Sequence, residues 1–295
     1  MSADEFSRRD VAYHEATAAS YDADVTAVFG IYHRFLLDPF LDRVASSVGR
    51  GRALDLGCGT GVITVSLVER GFDVVGVDHS PDMLAIAEEK LAHSRGGGEH
   101  ELRTADVRDL PFASNEFDCV TCQGLLHHLE DIRPCISELV RVLKPGGFFY
   151  VSEPCVNATP LRHIGASVWH RVRRYRAVRS AEVPESVEAP IDADELQSVL
   201  AGWSLSFEQI FLTHLEPLRF ALPDWLYLPI VRAVSYPWRR TRGDLVFVFG
   251  RKPTLGGGAK PLAATPLLRR RKPQLANNFA ISDEQTQRLR SRFER

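Results

Sequence analysis

The chain has 295 residues, of which 44% are hydrophobic and 25% are charged, a balance typical of folded globular proteins rather than disordered ones. The length allows one large domain or two small ones. The formal net charge of −2 argues against nucleic-acid binding through bulk positive charge. No apolar run approaches the roughly 18 to 20 residues that span a bilayer, and the polar N-terminus lacks a secretory signal. We therefore expect a cytoplasmic protein.

The five cysteines are odd in number and lie mostly in apolar segments, which suits a reducing compartment. Cys119 and Cys122 have the C-x-x-C spacing of a redox pair. A spacing of three along a predicted strand directs two side chains to opposite faces, so we do not expect this pair to carry redox chemistry.

The apolar pattern predicts helices followed by an α/β domain. The first 50 residues have helical spacing, with a break near residues 20–22, and from residue 51 short apolar runs alternate with helical segments. This alternation predicts a parallel sheet with helices on both faces. The strands are predicted at residues 53–56, 72–77, 101–104, 117–122 and 148–152, and the helices at 61–69, from Ser80-Pro81 onward, and at 131–143.

The rest of the domain, which we end at residue 253, is predicted from weaker patterns. A helix near 192–200, a strand near 205–212 and an apolar run at 245–249 follow; the two strands have no obvious helix between them, which suggests an antiparallel edge. We treat 157–190 and 217–242 as insertions. The first carries a run of arginines and the second is rich in Leu, Trp and Tyr. Residues 254–295, with nine basic and three acidic side chains, are expected to be a disordered basic tail.

The strongest chemical signal is a glycine loop between a strand and a helix, Asp55-Leu-Gly57-Cys58-Gly59-Thr-Gly61. Such a loop lets a ligand approach the backbone closely. A dinucleotide site favours G-x-G-x-x-G, whereas this loop reads G-x-G-x-G with an acid two residues before the first glycine. An acid there disfavours a pyrophosphate and favours a cationic group such as a sulfonium. The spacing therefore argues against a nicotinamide oxidoreductase.

Two further carboxylates follow predicted strands. Asp78 ends the second strand, 17 residues after Gly61, where a carboxylate can accept hydrogen bonds from both ribose hydroxyls. Asp106 follows the third strand, where it can bind an adenine amino group. Their alternatives are a helix cap for Asp78 and a solvated loop residue for Asp106.

Five segments in chain order carry a resemblance to a known family: LDLGCGTG, VDHSPDML, ADVRDLPF, FDCVTCQGLLHHL and LVRVLKPGGFFYVSEP. Together they resemble the class I S-adenosylmethionine-dependent methyltransferases of the small-molecule, type 11-like group, over about residues 21–154. The resemblance implies a Rossmann-like doubly wound sheet of seven strands with an antiparallel last strand, a helical N-terminal lid over residues 1–50, and S-adenosylmethionine as methyl donor.

The family's binding pattern can be placed on this sequence. The loop acid and glycines approach the methionine part of the cofactor, the acid after the second strand binds the ribose, Met83 and the third-strand pair face the adenine, and the residues after the fourth strand lie near the methionine end. Tyr13 and Tyr21 match aromatic positions of the lid. The implied cofactor-binding residues are Tyr21, Asp55, Gly57, Cys58, Gly59, Gly61, Asp78, His79, Met83, Asp106, Val107, Gln123 and Gly124.

Two adjacent histidines are the candidate catalytic residues. Methyl transfer to an oxygen benefits from a base, and histidine is the usual one near neutral pH. His127 and His128 follow the fourth strand; since neighbours are expected to point in different directions, we favour His128 as the one facing the pocket. Glu153 is expected at the pocket rim, and His163, His170 and His214 are further candidates. The reaction needs no metal, and no cluster with metal-ligand spacing is evident.

The acceptor has to be inferred from the insertions. The arginine run at 162–179 and the apolar segment at 218–238 together suggest a lipid-like or polyketide-like acceptor with an acidic group, and peripheral membrane contact remains open. We expect O-methylation of a small hydrophobic molecule. The alternatives are C- or N-methylation of a quinone, lipid or amine, and a non-catalytic cofactor-binding module. Specific nucleic-acid binding is not expected.

Overall fold

The computed structural model describes residues 32–156, 190–212, 224–235 and 243–254. The chain divides into two units, 1–264 and 265–295, and all of the described residues lie in the first. They form a seven-stranded sheet with the order β3-β2-β1-β4-β5-β7-β6. Strands β1 to β5 pair in parallel, and β7 runs antiparallel to both β5 and β6. The expected Rossmann-like sheet with an antiparallel last strand is confirmed.

Every predicted strand is present, and most bounds agree within one or two residues. The strands are β1 Arg52–Leu56, β2 Asp73–Asp78, β3 His100–Thr104, β4 Phe117–Gln123, β5 Leu143–Pro154, β6 Ser206–Leu212 and β7 Leu245–Arg251. The largest difference is β5. We predicted this strand only at 148–152, whereas it already pairs with β4 at Leu143, and the register to β4 shifts before Phe148. Gly146, at φ +80°, lies inside this irregularity rather than in a separate turn.

The helices are a π-helical turn His33–Leu37, α1 Asp38–Val48, α2 Val62–Glu69, α3 Pro81–Leu91, a 3₁₀ turn Leu126–His128, α4 Arg133–Val142, α5 Ala193–Gly202 and α6 Asp224–Ser235. Ser80 caps α3 by accepting a hydrogen bond from the Met83 N–H, with Pro81 in the first turn. Helix α6 corrects one expectation, because β6 and β7 are joined through a helix and not directly.

The end of the N-terminal segment packs directly on the sheet. Phe40 of α1 lies with its ring centroid 5.2 Å from that of Phe249 on β7 and 6.2 Å from that of Tyr150 on β5. Leu41 and Val44 are fully buried beside it. The described part of the expected lid is therefore helical and belongs to the core, while residues 1–31 lie outside the described residues.

Strand alternation separates the two faces of the sheet. Residues such as Leu54, Val120 and Val151 face one apolar core together with α4 and α5. Their neighbours face the side covered by α1 and α2, where Asp55 of β1 binds Thr64 of α2. The second face thus carries polar side chains toward the glycine loop. The arginine run, most of the apolar insertion and the basic tail lie outside the described residues.

Candidate cofactor-binding and active site

The glycine loop has the geometry that its sequence predicts. Gly57 and Gly61 adopt φ values of +63° and +80°, a region that favours glycine. A Cβ atom at Gly57 would come 2.8 Å from Leu125 Cδ1, and one at Gly61 would come 2.9 Å from Ala87 Cβ. The loop therefore needs glycine both for its backbone conformation and for its close packing.

Asp55 lies behind this loop and is held by two threonines. It is 2% exposed, and its two oxygens accept hydrogen bonds of 2.7 Å from Thr64 Oγ1 and Thr121 Oγ1. Burial raises the pKa of the Asp55 carboxyl to about 6, despite the hydroxyl donors that lower it. At neutral pH the group is therefore mainly a carboxylate, which attracts a cation in the adjoining space.

The raised pKa of Asp55 gives a testable pH dependence. Since the pKa rises from its usual 3.8 to about 6 on folding, the native state binds more protons between these values, and its stability falls as pH increases through them. The expected loss is roughly 3 kcal/mol. Urea unfolding of wild type and Asp55→Asn between pH 4 and 7 measures it as the difference between the two curves. If the unfolding free energies of the two proteins changed with pH in parallel, the raised pKa of the buried Asp55 carboxyl would be contradicted.

Asp78 anchors the loop to β2. Its Oδ2 accepts from the Gly59 N–H at 2.8 Å and its Oδ1 from the Ser80 N–H at 2.9 Å. The helix cap that we weighed as the alternative role of Asp78 is supplied by Ser80, whose N–H donates to Asp78. Each carboxylate oxygen has two lone pairs, so these contacts leave acceptor capacity for a hydroxyl ligand.

Four further predicted cofactor-binding residues lie near the ends of β2 and β3, two of them polar and two of them buried and apolar. Asp106 forms an ion pair of 2.8 Å with Arg108 and is half-exposed, so its carboxylate is engaged by a neighbour two residues away. His79 lies with Nδ1 3.8 Å from Asp78 Oδ1. Met83 and Val107 are buried apolar side chains and are not among the residues that line the cleft beside the glycine loop.

A small open cleft lies at the carboxyl end of β1 and β4. Five of the predicted cofactor-binding residues line it: Asp55, Gly57, Cys58, Gly59 and Gln123. Thr60, Val62 and Ile63 complete the wall. The position follows the general rule that open α/β sheets bind ligands at the carboxyl ends of their strands. Gly124 follows Gln123 with φ +62°, its N–H bonded to the Ser152 carbonyl at 2.9 Å.

The two histidines after β4 do not diverge as expected. In the short 3₁₀ turn their ring centroids are 4.0 Å apart, and both side chains are buried. His127 Nδ1 lies 2.7 Å from Glu153 Oε2. Glu153 is fully buried and not at the rim, and its Oε1 accepts from the N–H groups of Leu125 and Leu126 at 2.9 and 2.8 Å. Glu153 thus fixes both the turn and the His127 ring.

Several contacts were missed at the level of sequence. Thr64 and Thr121, which hold Asp55, were not singled out, although Thr121 is two residues before Gln123 on the same strand and so shares its face. His33, whose Nε2 lies 2.7 Å from Gln123 Oε1, is 90 residues away and gave no sequence signal. The predicted residues outside the described part of the chain are Tyr13, Tyr21, His163, His170 and His214.

All five cysteines are free and buried, and burial raises the pKa of Cys119 far above its usual range. Within the described ranges, no group of three or more His, Cys, Asp or Glu side chains is placed to hold a metal ion. The helices described here include none long and apolar enough to cross a membrane.

Comparison with known proteins identifies the family. The family model described as "Methyltransferase domain" matches residues 54–151, which contain the glycine loop, β2 to β4 and the histidine pair. A demethylmenaquinone methyltransferase of Thermus thermophilus is 36% identical over 174 residues, which is 53% of this chain and 76% of the relative. The chain therefore belongs to the class I S-adenosylmethionine-dependent methyltransferases.

One further curated relative and one solved structure show how much of the chain is similar to known proteins. A ubiquinone biosynthesis O-methyltransferase of Methylococcus capsulatus is 36% identical over 130 residues, covering 43% of this chain and 54% of the relative. The chain thus spans about half to three quarters of the length of these curated relatives. The solved complex between a Haloferax volcanii methyltransferase activator and a methyltransferase contains a chain that aligns over 81% of this chain and 97% of its own length. The TM-score is 0.51 at 19% identity, which shows that the fold is shared.

Proposed function

We propose that the cleft binds S-adenosylmethionine and that the protein transfers its methyl group to a small hydrophobic acceptor. The observation that carries this proposal is the glycine loop with the buried Asp55 behind it, which favours a cationic sulfur compound over a pyrophosphate. Family membership supports the same ligand. Asp78, whose remaining lone pairs suit ribose hydroxyls, is the proposed ribose ligand, and we keep Met83 and Val107 as the proposed apolar neighbours of the adenine ring.

The reaction is an in-line displacement in which the methyl carbon passes from sulfur to the acceptor. The sulfonium loses its positive charge as a neutral thioether leaves, so placement of the two reactants and exclusion of water supply much of the rate. The protein's part is then to hold the cofactor against the glycine loop and to deprotonate an acceptor hydroxyl.

We propose His127 as the base, with His128 as the second candidate. An ionised carboxylate accepts hydrogen bonds but cannot donate them. The contact with Glu153 therefore places the proton of a neutral His127 ring on Nδ1 and the lone pair on Nε2. A buried carboxylate that orients a histidine in this way is the arrangement used by hydrolytic triads. The sequence favoured His128; we place His127 first because its Nδ1 contacts the buried Glu153 carboxylate at 2.7 Å, and His128, whose ring centroid lies 4.0 Å from that of His127, is the second candidate.

The acceptor is proposed to be a phenol or hydroquinone. Relatives are named for demethylmenaquinone and for ubiquinone biosynthesis, and deprotonating a phenol shares negative charge between its oxygen and ring carbon. One base therefore serves O-methylation, which we favour, and C-methylation, which is the alternative. The arginine run would suit an acidic group on such an acceptor. We keep cytoplasmic localisation as part of this proposal.

Ligand binding is the first test. S-adenosylhomocysteine at 100 times its Kd should stabilise the native state by about 2.7 kcal/mol, a shift of several degrees in Tm that thermal unfolding detects. NAD at the same concentration is the control and should give no shift. Stabilisation by NAD alone would contradict the proposal, and no shift with either would contradict a nucleoside cofactor in this cleft.

The acceptor class is tested with a labelled methyl donor. We expect label in products from hydroquinones and phenols, and mass spectrometry then distinguishes a methyl on oxygen from one on carbon. Methylation of small polar amines alone would contradict a hydrophobic acceptor. Cofactor binding with no transfer to any compound of a source-cell extract would favour the non-catalytic alternative.

A further inference from the structure

A row of polar side chains connects the N-terminal helical segment to the cleft. On β4, Thr121 and Gln123 lie on the same face, since side chains alternate along a strand. Thr121 donates to Asp55 at 2.7 Å, and Gln123 lines the cleft. The row continues to His33, the first residue of the π-helical turn, whose Nε2 lies 2.7 Å from Gln123 Oε1. Residues far apart in sequence thus meet at one wall of the cofactor site.

The amide of Gln123 is held by two donors at one atom. Tyr150 OH donates to Gln123 Oε1 at 3.2 Å, and His33 Nε2 contacts the same oxygen. Because an amide oxygen only accepts hydrogen bonds, His33 has to donate from Nε2, which fixes its tautomer. The Gln123 nitrogen, with its two N–H donors, is then the polar atom that this side chain presents to the cleft.

Both donors keep their protons under ordinary conditions. His33 is 3% exposed, and burial lowers its pKa to about 4, so the ring is neutral near pH 7 with its single N–H committed to Gln123. Burial also raises the pKa of the Tyr150 hydroxyl above its usual range. The orientation of the amide is therefore constant across neutral pH.

The backbone around His33 is unusual in a way that suits this role. The His33 carbonyl accepts a hydrogen bond from the N–H of Asp38, five residues further on, in a wide π-helical turn. Such turns are rare in proteins, and many of those known lie at functional sites. The flanking Tyr32 and Leu37 are buried, and Tyr32 OH lies 3.3 Å from Tyr227 OH of α6. The turn is fixed from both sides, so the imidazole is held in place.

We propose that His33 is a positioning residue that, together with Tyr150, orients the Gln123 amide so that its NH₂ group donates to an oxygen of the bound cofactor. This inference rests on the proposed function, since it assumes that S-adenosylmethionine occupies the cleft. His33 acts only through Gln123, so its effect on affinity disappears when the amide is absent.

A double-mutant cycle tests this dependence. His33→Leu removes the donor at similar volume, and His33→Gln keeps an N–H near the position of Nε2. Calorimetry with S-adenosylhomocysteine should show a Kd raised roughly 3- to 10-fold for His33→Leu and within about twofold of wild type for His33→Gln. In a Gln123→Ala background, His33→Leu should change the Kd no further.

The outcomes separate this inference from the proposed function. If wild type does not bind S-adenosylhomocysteine, the proposed function fails and the inference fails with it. If wild type binds but the two His33 variants lose affinity equally, or His33→Leu has its full effect without Gln123, only the inference is overturned. Should His33→Leu fail to fold, Tyr150→Phe replaces it in the cycle: a Kd raised about 2- to 5-fold only when Gln123 is present supports the inference, and an unchanged Kd overturns it.

Discussion

Replacing His127 with alanine is expected to lower turnover by about 10²- to 10⁴-fold, the contribution typical of a general base. The expectation rests on the proposal that His127 is the base, in which its 2.7 Å contact from Nδ1 to Glu153 Oε2 would hold the ring for proton transfer through Nε2. The Kd for S-adenosylhomocysteine should change little, because the lost group acts on the acceptor. Steady-state assays with a hydroquinone acceptor, together with calorimetry, measure the two quantities separately.

Two variants sharpen this prediction. His128→Ala removes the neighbouring ring, whose centroid lies 4.0 Å from that of His127, but leaves the contact between His127 and Glu153 in place, and should retain turnover within about tenfold. Glu153→Gln keeps the shape but places an amide N–H against Nδ1, which favours the other tautomer and should lower turnover toward the His127→Ala value. If His128→Ala lost most of its turnover while His127→Ala kept normal turnover, the base would be His128 and not His127.

The glycine loop and the sheet were predictable because they depend on local chemistry. The positive φ of Gly57 and the Asp78 strand end follow from residue types at fixed spacing, and the α/β alternation follows from apolar periodicity. The position of Glu153 was predictable in principle, since residues 149, 151 and 153 alternate onto one face of β5, and Phe149 and Val151 on that face belong to the apolar core. We placed it at the rim because strand ends usually reach the surface.

Other features of the site depend on contacts that local pattern does not encode. The two histidine rings lie close together because a 3₁₀ turn of only three residues follows the strand, and the Glu153 carboxylate, 25 or more residues away, binds the backbone and His127 side chain of this turn. The contact between His33 and Gln123 joins an N-terminal turn to a strand end. Such pairings are decided by how the helices pack on the sheet, which a single sequence specifies only through the whole fold.

Replacing Gly57 with alanine is expected to weaken cofactor binding roughly 10- to 100-fold, because overpacking costs about 1–3 kcal/mol and each 1.4 kcal/mol is tenfold in Kd. The new Cβ would lie 2.8 Å from Leu125 Cδ1 and 3.1 Å from its Cβ, in the loop that precedes the histidine pair. To relieve this contact, the glycine loop has to shift, and the backbone at Gly57 that lines the cleft moves with it. Calorimetry with S-adenosylhomocysteine measures the change in affinity.

Gly71→Ala is the matched control for this substitution. Gly71 has a similarly positive φ of +84°, yet a Cβ there meets nothing within 4 Å, and the residue precedes β2 at the end of the sheet opposite the cleft. Both variants bear the strain of a left-handed alanine, about 1–2 kcal/mol of stability, but only Gly57→Ala should also lose affinity. Equal affinities in the two variants would mean that the close approach at Gly57 serves the fold alone, and the glycine loop would then lose its place as the cofactor-binding wall.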